Sequence, residues 1–333
     1  MPGYRIVLSG DSLVFVDGGE HMTNRFLEQT GAKYPIIQAP MGWIARSQLA
    51  SAVCRAGGVG VIETSSGETE NCKAEIEKMF ELTKAPFGVN LPIMFLRDDA
   101  MLRYICDSGV KFVTTSAGSP QKFIGPLKQA GITVYHAVPT VEAAIKCVDA
   151  GVDGLVVEGG EGGGFKNPEE VSSLVLLQAI RAAVDVPLVA AGGICDGRGM
   201  AAAFALGAEA IQMGTRFVSS KESPVHDNYK DAIITAPATG TLVLNKSASP
   251  CLRALKTQKS KEIYDTGVMP ADTLGSILDL YFGGDMEASV GLAGQTSGLI
   301  HEVKPVAEII SETVSEFHEI TGRLGRLSAS ASF

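Results

Sequence analysis

"AAGGICDGRGMAAAFALGAEAIQMGTRF", Ala190–Phe217, holds one complete structural repeat. An apolar run closes in Gly192 and Gly193, and an alanine-rich amphipathic stretch follows over Gly197–Leu206. "LGA" stops that stretch, and "AIQMG" opens the next apolar run. The glycine in "LGA" supplies the left-handed residue on which helices end. Strand, turn, helix and strand again are the signature of a βαβ unit.

The same theme recurs upstream. "PIIQAPM" (35–41) leads to a helix over 46–56, "GVGVIE" (58–63) to 70–82, and "FGVNLPI" (87–93) to 98–107. "KFVTTSA" (111–117) leads to 120–130, "TVYHAV" (133–138) to 141–150, and "GLVVEG" (154–159) to 172–184. With "PLVAAGG" (187–193) and "AIQMGTRF" (210–217) there are eight strand signals, seven with their own helix. The runs are apolar throughout, as in a parallel sheet covered on both faces. Eight units predict a closed α/β (β/α)8 TIM barrel. An open doubly wound sheet would carry GxGxxG after its first strand, where this chain has "QAPMGW".

After Phe217 the rhythm breaks. Residues 218–300 read as a mainly helical insertion between strand eight and its helix, placed to lid the catalytic face. The long amphipathic stretch 304–324 is then the last barrel helix. The barrel comprises 22–217 and 301–324. Residues 1–21 are set aside as a leader or tag expected to be disordered, and 325–333 as a tail in which "SASASF" (328–333) is expected to fray.

The chain has 333 residues and a net charge of -9, which disfavours a nucleic-acid backbone as partner. It holds no apolar run of 18 residues, so no membrane span is expected. Its six cysteines form no CxxC pair, which reads as reduced thiols in a cytoplasmic protein. No two of the five histidines sit at metal-ligand spacing, and no metal is expected. A homodimer is a guess from the habit of barrels with exposed apolar helices.

In such a barrel, ligands sit at the C-terminal ends of the strands, with phosphate held by the loops after strands seven and eight. Gly192, Gly193 and Gly214 let backbone N–H groups approach closely, and Thr215 adds a hydroxyl. The helix opening near Gly197 adds its positive end. Packing turns would explain one such loop; two glycine sets at matching barrel positions point to phosphate.

These residues also carry a resemblance. "QAPMGW", "APFGVN", "EGGEGGG", the 190–217 block and "GQTSGLI" are similar to the nitronate monooxygenase (2-nitropropane dioxygenase) family. That family also contains flavin-dependent enoyl-acyl-carrier-protein reductases. The similarity runs from about Arg25 to Ile320. The phosphate loops alone would suit inosine-monophosphate dehydrogenase, but that family needs a cysteine in the loop after strand six, and here there is none.

The resemblance implies FMN. It places Ala39, Pro40 and Met41 against the isoalloxazine ring and Asn90 at the ring's polar edge. Gly163 and Gly164 would border the flavin, and Glu158 would lie near the ribityl hydroxyls. His136 ends strand five; it could meet charge on reduced flavin, or be a satisfied structural histidine. The next position, often a lysine in the family, is Ala137. Glu161 is either an active carboxylate or a solvated one, and Trp43 either core or pocket wall.

One position departs from the pattern. In "VEGGEGGGFKNPEE" (Val157–Glu170), Phe165 stands where the family generally places a base histidine. Phenylalanine can neither accept a proton nor stabilise an anion. Either His136 or Glu161 does the proton transfer, or the substrate is a preformed nitronate that needs no base, or Phe165 shapes an apolar pocket for a larger acyl or aromatic group.

The reading is an FMN-dependent oxidoreductase of the nitronate monooxygenase-like group. One alternative is an NAD(P)H-dependent reductase or dehydrogenase of an enoyl thioester or quinone; another is a flavin-binding protein without turnover. Arg253, Lys256, Lys259 and Lys261 could form a basic patch for coenzyme A, or one solvated helix face.

Overall fold

A computed structural model describes residues 4–9, 12–17, 20–22, 24–96 and 98–330; the side chains of 4–22 and 328–330 lie outside the described part. Eight strands form the expected barrel: β1 (Ile36–Gln38), β2 (Gly60–Ile62), β3 (Phe87–Pro92), β4 (Phe112–Ser116), β5 (Thr133–Val138), β6 (Gly154–Glu158), β7 (Leu188–Ala191) and β8 (Ala210–Met213). All neighbours pair in parallel, in the order β1-β8-β7-β6-β5-β4-β3-β2.

The ring closes at β1 and β2 through one bridge, Ile37 to Val59. Gln38 N–H donates to Val59 O at 2.9 Å, and Val59 N–H to Ile36 O at 2.8 Å. The Gln38 side chain then extends the ladder: its Nε2 donates to Val61 O at 3.2 Å and its Oε1 accepts from Val61 N–H at 3.3 Å. A carboxamide here stands in for a peptide group, so the short seam leaves these groups of Val61 paired.

Helices α1 (Ser47–Arg55), α2 (Thr69–Leu82), α3 (Ala100–Ser108), α4 (Gln121–Gln129), α5 (Val141–Asp149), α6 (Ser173–Ala183) and α7 (Gly197–Ala205) each follow a strand. The long α8 (Val306–Ser330) packs on α7 and α1 and completes the outer ring. Side-chain caps start several of them: Thr140 accepts from Ala143 N–H at α5, and Asp196 from Gly199 N–H at α7. The outer core holds Val89, Val113, Val134, Leu155 and Ile211. Inside the barrel, Ile37, Val61, Phe112, Tyr135, Val156 and Val189 meet Phe26.

Phe26 lies on a short helix, Arg25–Thr30, capped by Asn24. It is fully buried and meets Phe112 and Tyr135 edge-on, at centroid distances of 6.2 and 6.0 Å. Burying such a ring contributes about 2–3 kcal/mol. Asn24 Nδ2 donates to Glu209 O at 2.7 Å, and Arg25 pairs with Glu209 at the foot of β8. The N-terminal end of the barrel is therefore plugged.

Three features add to what the sequence indicates. The insertion is not only helices and loops: beside helices Asp227–Ile234, Gln258–Thr266 and Ile277–Tyr281 it holds an antiparallel hairpin, Thr241–Leu244 with Leu252–Leu255. Gly164–Phe165 pairs with the second of these strands, so the glycine loop after β6 is stitched into the insertion. A two-stranded hairpin is marginal alone, and this third strand and the packed side chains support it. Within the leader, Tyr4–Ser9, Ser12–Asp17 and Glu20–Met22 form antiparallel strands, in line with the β-branched and aromatic residues of "YRIVLS" and "SLVFVD". The helical periodicity of α8 runs past 324 to Ser330, while residues 331–333 lie outside the described residues. All six cysteines are free, and among the described residues no helix is long and apolar enough to cross a membrane.

Candidate functional site

A cavity of about 930 Å³ opens at the C-terminal ends of the strands. It brings together Ala39, Pro40, Met41, Trp43, Asn90, Glu158, Glu161, Gly163, Gly164, Phe165, Gly192, Gly193, Gly214 and Thr215, with Leu274, Ile277, Tyr281 and Leu292 of the insertion as an apolar wall. The loop after β1 is held by Ala39 N–H to Met213 O at 2.9 Å and Ala45 N–H to Met41 O at 2.9 Å. Trp43 (φ 61) and Ala117 (φ 52) adopt the left-handed conformation and both line the cavity. Each costs about 1–3 kcal/mol, and such strain concentrates where ligands are held.

The loops after β7 and β8 are open. Gly192 (φ 85) and Gly193 (φ 76) need the left-handed region. Among the described residues, the N–H groups of Gly192, Gly193 and Gly214 donate to no protein acceptor. Thr215 Oγ1 accepts from Gly294 N–H at 2.9 Å, which ties the insertion to this corner. The positive end of α7, expected to face the ligand, is met within the protein: Asp196 caps it, and Gly197 N–H donates to Glu316 Oε2 of α8 at 2.9 Å.

The glycine loop after β6 is different. The Glu161 carboxylate accepts from Ser173 N–H at 3.0 Å and from Ser173 Oγ at 3.1 Å, capping α6. Its oxygens serve a helix terminus, while the residue also lines the cavity. Arg253 Nε donates to Gly160 O at 2.8 Å, and its Nη2 meets Glu170 at 2.6 Å. Gly163 is bare because a Cβ would lie 2.5 Å from Ala293 C and 2.6 Å from Gly294 N. The clash within the protein is with the backbone of the insertion.

Glu158 ends β6 and pairs with Lys166, a residue that no motif marks. Only the pairing of Gly164–Phe165 with the hairpin shows which way Lys166 points, and no local pattern encodes it.

His136 does not point into the barrel. Tyr135 and Ala137 face the inner cluster, so alternation turns His136 outward. There its Nδ1 bonds Thr115 Oγ1 at 2.7 Å, and it borders a lobe of the cavity shared with Lys146 and Cys147 of α5. Burial lowers its pKa to about 4, so the ring is neutral near pH 7. Asn90 faces inward, its Nδ2 donating to Thr114 O at 3.1 Å and Thr114 Oγ1 at 3.0 Å.

Phe165 is 48% exposed at the mouth, with its ring 5.5 Å from that of Phe95; Met94 is 66% exposed nearby on the same short turn. The four basic residues of 253–261 do not form one patch. Arg253 is buried on its strand, Lys259 Nζ donates to Ala288 O at 2.6 Å, and Lys256 and Lys261 are exposed.

The family model described as nitronate monooxygenase matches residues 24–101 and 92–316. The chain is 34% identical over 242 residues to a (3aS,4S,5R,7aS)-5-hydroxy-7a-methyl-1-oxo-octahydro-1H-indene-4-carboxyl-CoA dehydrogenase of Rhodococcus jostii, covering 73% of this chain and 68% of that one. It is 30% identical over 349 residues to a nitronate monooxygenase of Pseudomonas aeruginosa, covering 89% and 99%. The structure of FabK from Thermotoga maritima superposes with a TM-score of 0.87 at 36% identity, covering 91% and 98%.

Proposed function

Because the chain belongs to the nitronate monooxygenase family of oxidoreductases, we propose that it is an FMN-dependent enzyme acting on an apolar acyl thioester rather than on a small nitronate. The site fits the cofactor. The unpartnered N–H groups of Gly192, Gly193 and Gly214 would hold the phosphate, Ala39–Met41 would seat the ring, and Asn90 would meet its polar edge. Bound there, FMN supplies two-electron transfer.

The observation that carries the substrate class is Phe165. Where an acid-base residue would be needed, the chain presents an aromatic ring packed on Phe95 beside Met94. The insertion adds Leu274, Ile277, Tyr281 and Leu292. Together they exclude water from an acyl chain or ring, and the Rhodococcus relative, named for a carboxyl-CoA substrate, supports the thioester. NADH or NADPH is the proposed reductant, in a cytoplasmic enzyme working on small molecules as a homodimer.

A second reading, nitronate oxidation, is favoured by the Pseudomonas relative and by the fact that a nitronate is already charged and needs no base. Anaerobic bleaching of bound flavin by NADH, NADPH and an alkyl nitronate separates the two. Bleaching by a nicotinamide supports the proposal, and bleaching by the nitronate alone overturns it. No bleaching by any of the three would point to flavin binding without turnover. The variant Phe165→His is expected to lower affinity for long acyl thioesters.

A further inference from the structure

The strand Gly164–Phe165 alternates its faces, and Lys166 continues it, donating its N–H to Cys251 O at 2.9 Å. Phe165 turns out to the mouth, so Lys166 turns back beneath the glycine loop. Its side chain is 4% exposed. Nζ pairs with the Glu158 carboxylate and donates to Gly159 O at 3.3 Å. Gly162 makes the room, since a Cβ there would lie 2.7 Å from Nζ and 2.5 Å from Glu158 Oε1.

An ammonium carries three donors. Two are spent on Glu158 and Gly159; the third has no protein partner among the described residues, and Lys166 lines the cavity. The other acids of this loop are engaged elsewhere, Glu161 with Ser173 and Glu170 with Arg253 and Lys246.

We propose that Lys166 is a ligand-binding residue whose third N–H holds an oxygen that gains negative charge, namely the carbonyl oxygen of the thioester. It restores, from the opposite face of the strand, the charge partner that position 165 lacks. Glu158 fixes the ammonium in place, and a fixed donor in a partly desolvated cavity stabilises developing charge better than one in water. The inference rests on the thioester reading above.

Two ligands that differ at one group test it: hexanoyl-CoA and its thioether S-hexyl-CoA, which lacks the carbonyl oxygen. Equilibrium binding to the flavin-loaded protein is expected to favour the thioester by about tenfold or more. Lys166→Met is expected to erase that preference while changing thioether affinity by less than about threefold, and Lys166→Arg to keep part of it. If Lys166→Met fails to fold because Glu158 is left uncompensated, the pair Lys166→Met with Glu158→Gln removes both charges and is expected to lose the preference too. Equal binding of the two ligands by the unaltered protein, or a preference that survives in Lys166→Met, overturns the role of Lys166 and leaves the thioester reading standing. Binding of neither ligand overturns that reading and this inference with it.

Discussion

Two glycine-rich regions meet at the mouth of the barrel, and they are built on opposite plans. The loop after β6 is engaged by the protein at several points: Glu161 caps α6, Arg253 holds Gly160 O, and Gly163 gives way to the backbone of Ala293 and Gly294. The loops after β7 and β8 keep the N–H groups of Gly192, Gly193 and Gly214 without protein partners among the described residues. Bare glycines in the first region make room for neighbours, whereas in the second they present donors. Glycine content alone does not separate a packed loop from a receptive one; the space around each glycine does, since an added Cβ would lie 2.5 Å from backbone at Gly163 but 3.6 Å from the nearest atom at Gly214.

The harshest way to break this contrast is Gly193→Asp. At φ 76 a side chain is strained, and a carboxylate there repels a phosphate. FMN affinity should fall by at least about a hundredfold, read by flavin fluorescence on titration. A variant that purifies fully yellow would remove the phosphate from this loop. Gly163→Ala sharpens the other side. Its Cβ must displace backbone, so the melting curve should show a loss of about 1–3 kcal/mol. An unchanged melting temperature would mean that the loop and insertion are not packed as described.

Glu161→Gln should cost about 1 kcal/mol through the weakened cap and leave the pH profile of turnover in place. A profile that loses a limb would restore Glu161 as a proton carrier. On flavin binding the smallest effect belongs to His136. Flavin affinity should show no step near pH 6.5, because the folded ring stays neutral until about pH 4. Between those values the unfolded chain binds the proton that the folded chain refuses, so stability should fall as pH is lowered from about 6.5 towards 4. Chemical denaturation at several pH values reads this directly, and a flat stability would mean that the ring is not buried.

The barrel was legible because each unit carries its own signals: an apolar strand, a helix start and a glycine stop. The cavity was legible from the rule that loops at one end of the strands converge. What escaped depended on distant pairing. "TLVL" and "LRAL" are too short to announce strands, and their third partner lies at Gly164–Phe165. Lys166 and Arg253 found their roles through that same sheet. The direction of His136 was not legible because the inward parity of β5 is set by Tyr135 meeting Phe26, more than a hundred residues away. The role of Glu161 was hidden because the helix it caps begins at Ser173, with no spacing rule linking them.

The Phe26 plug governs traffic. With the floor of the barrel stoppered by Phe26, Phe112 and Tyr135, the cavity is served from its upper end. If the protein works as proposed, an electron donor and an electron acceptor sharing that doorway would take turns, the first departing before the second arrives. Alternation of this kind is an order of events written by a phenylalanine that touches neither reactant.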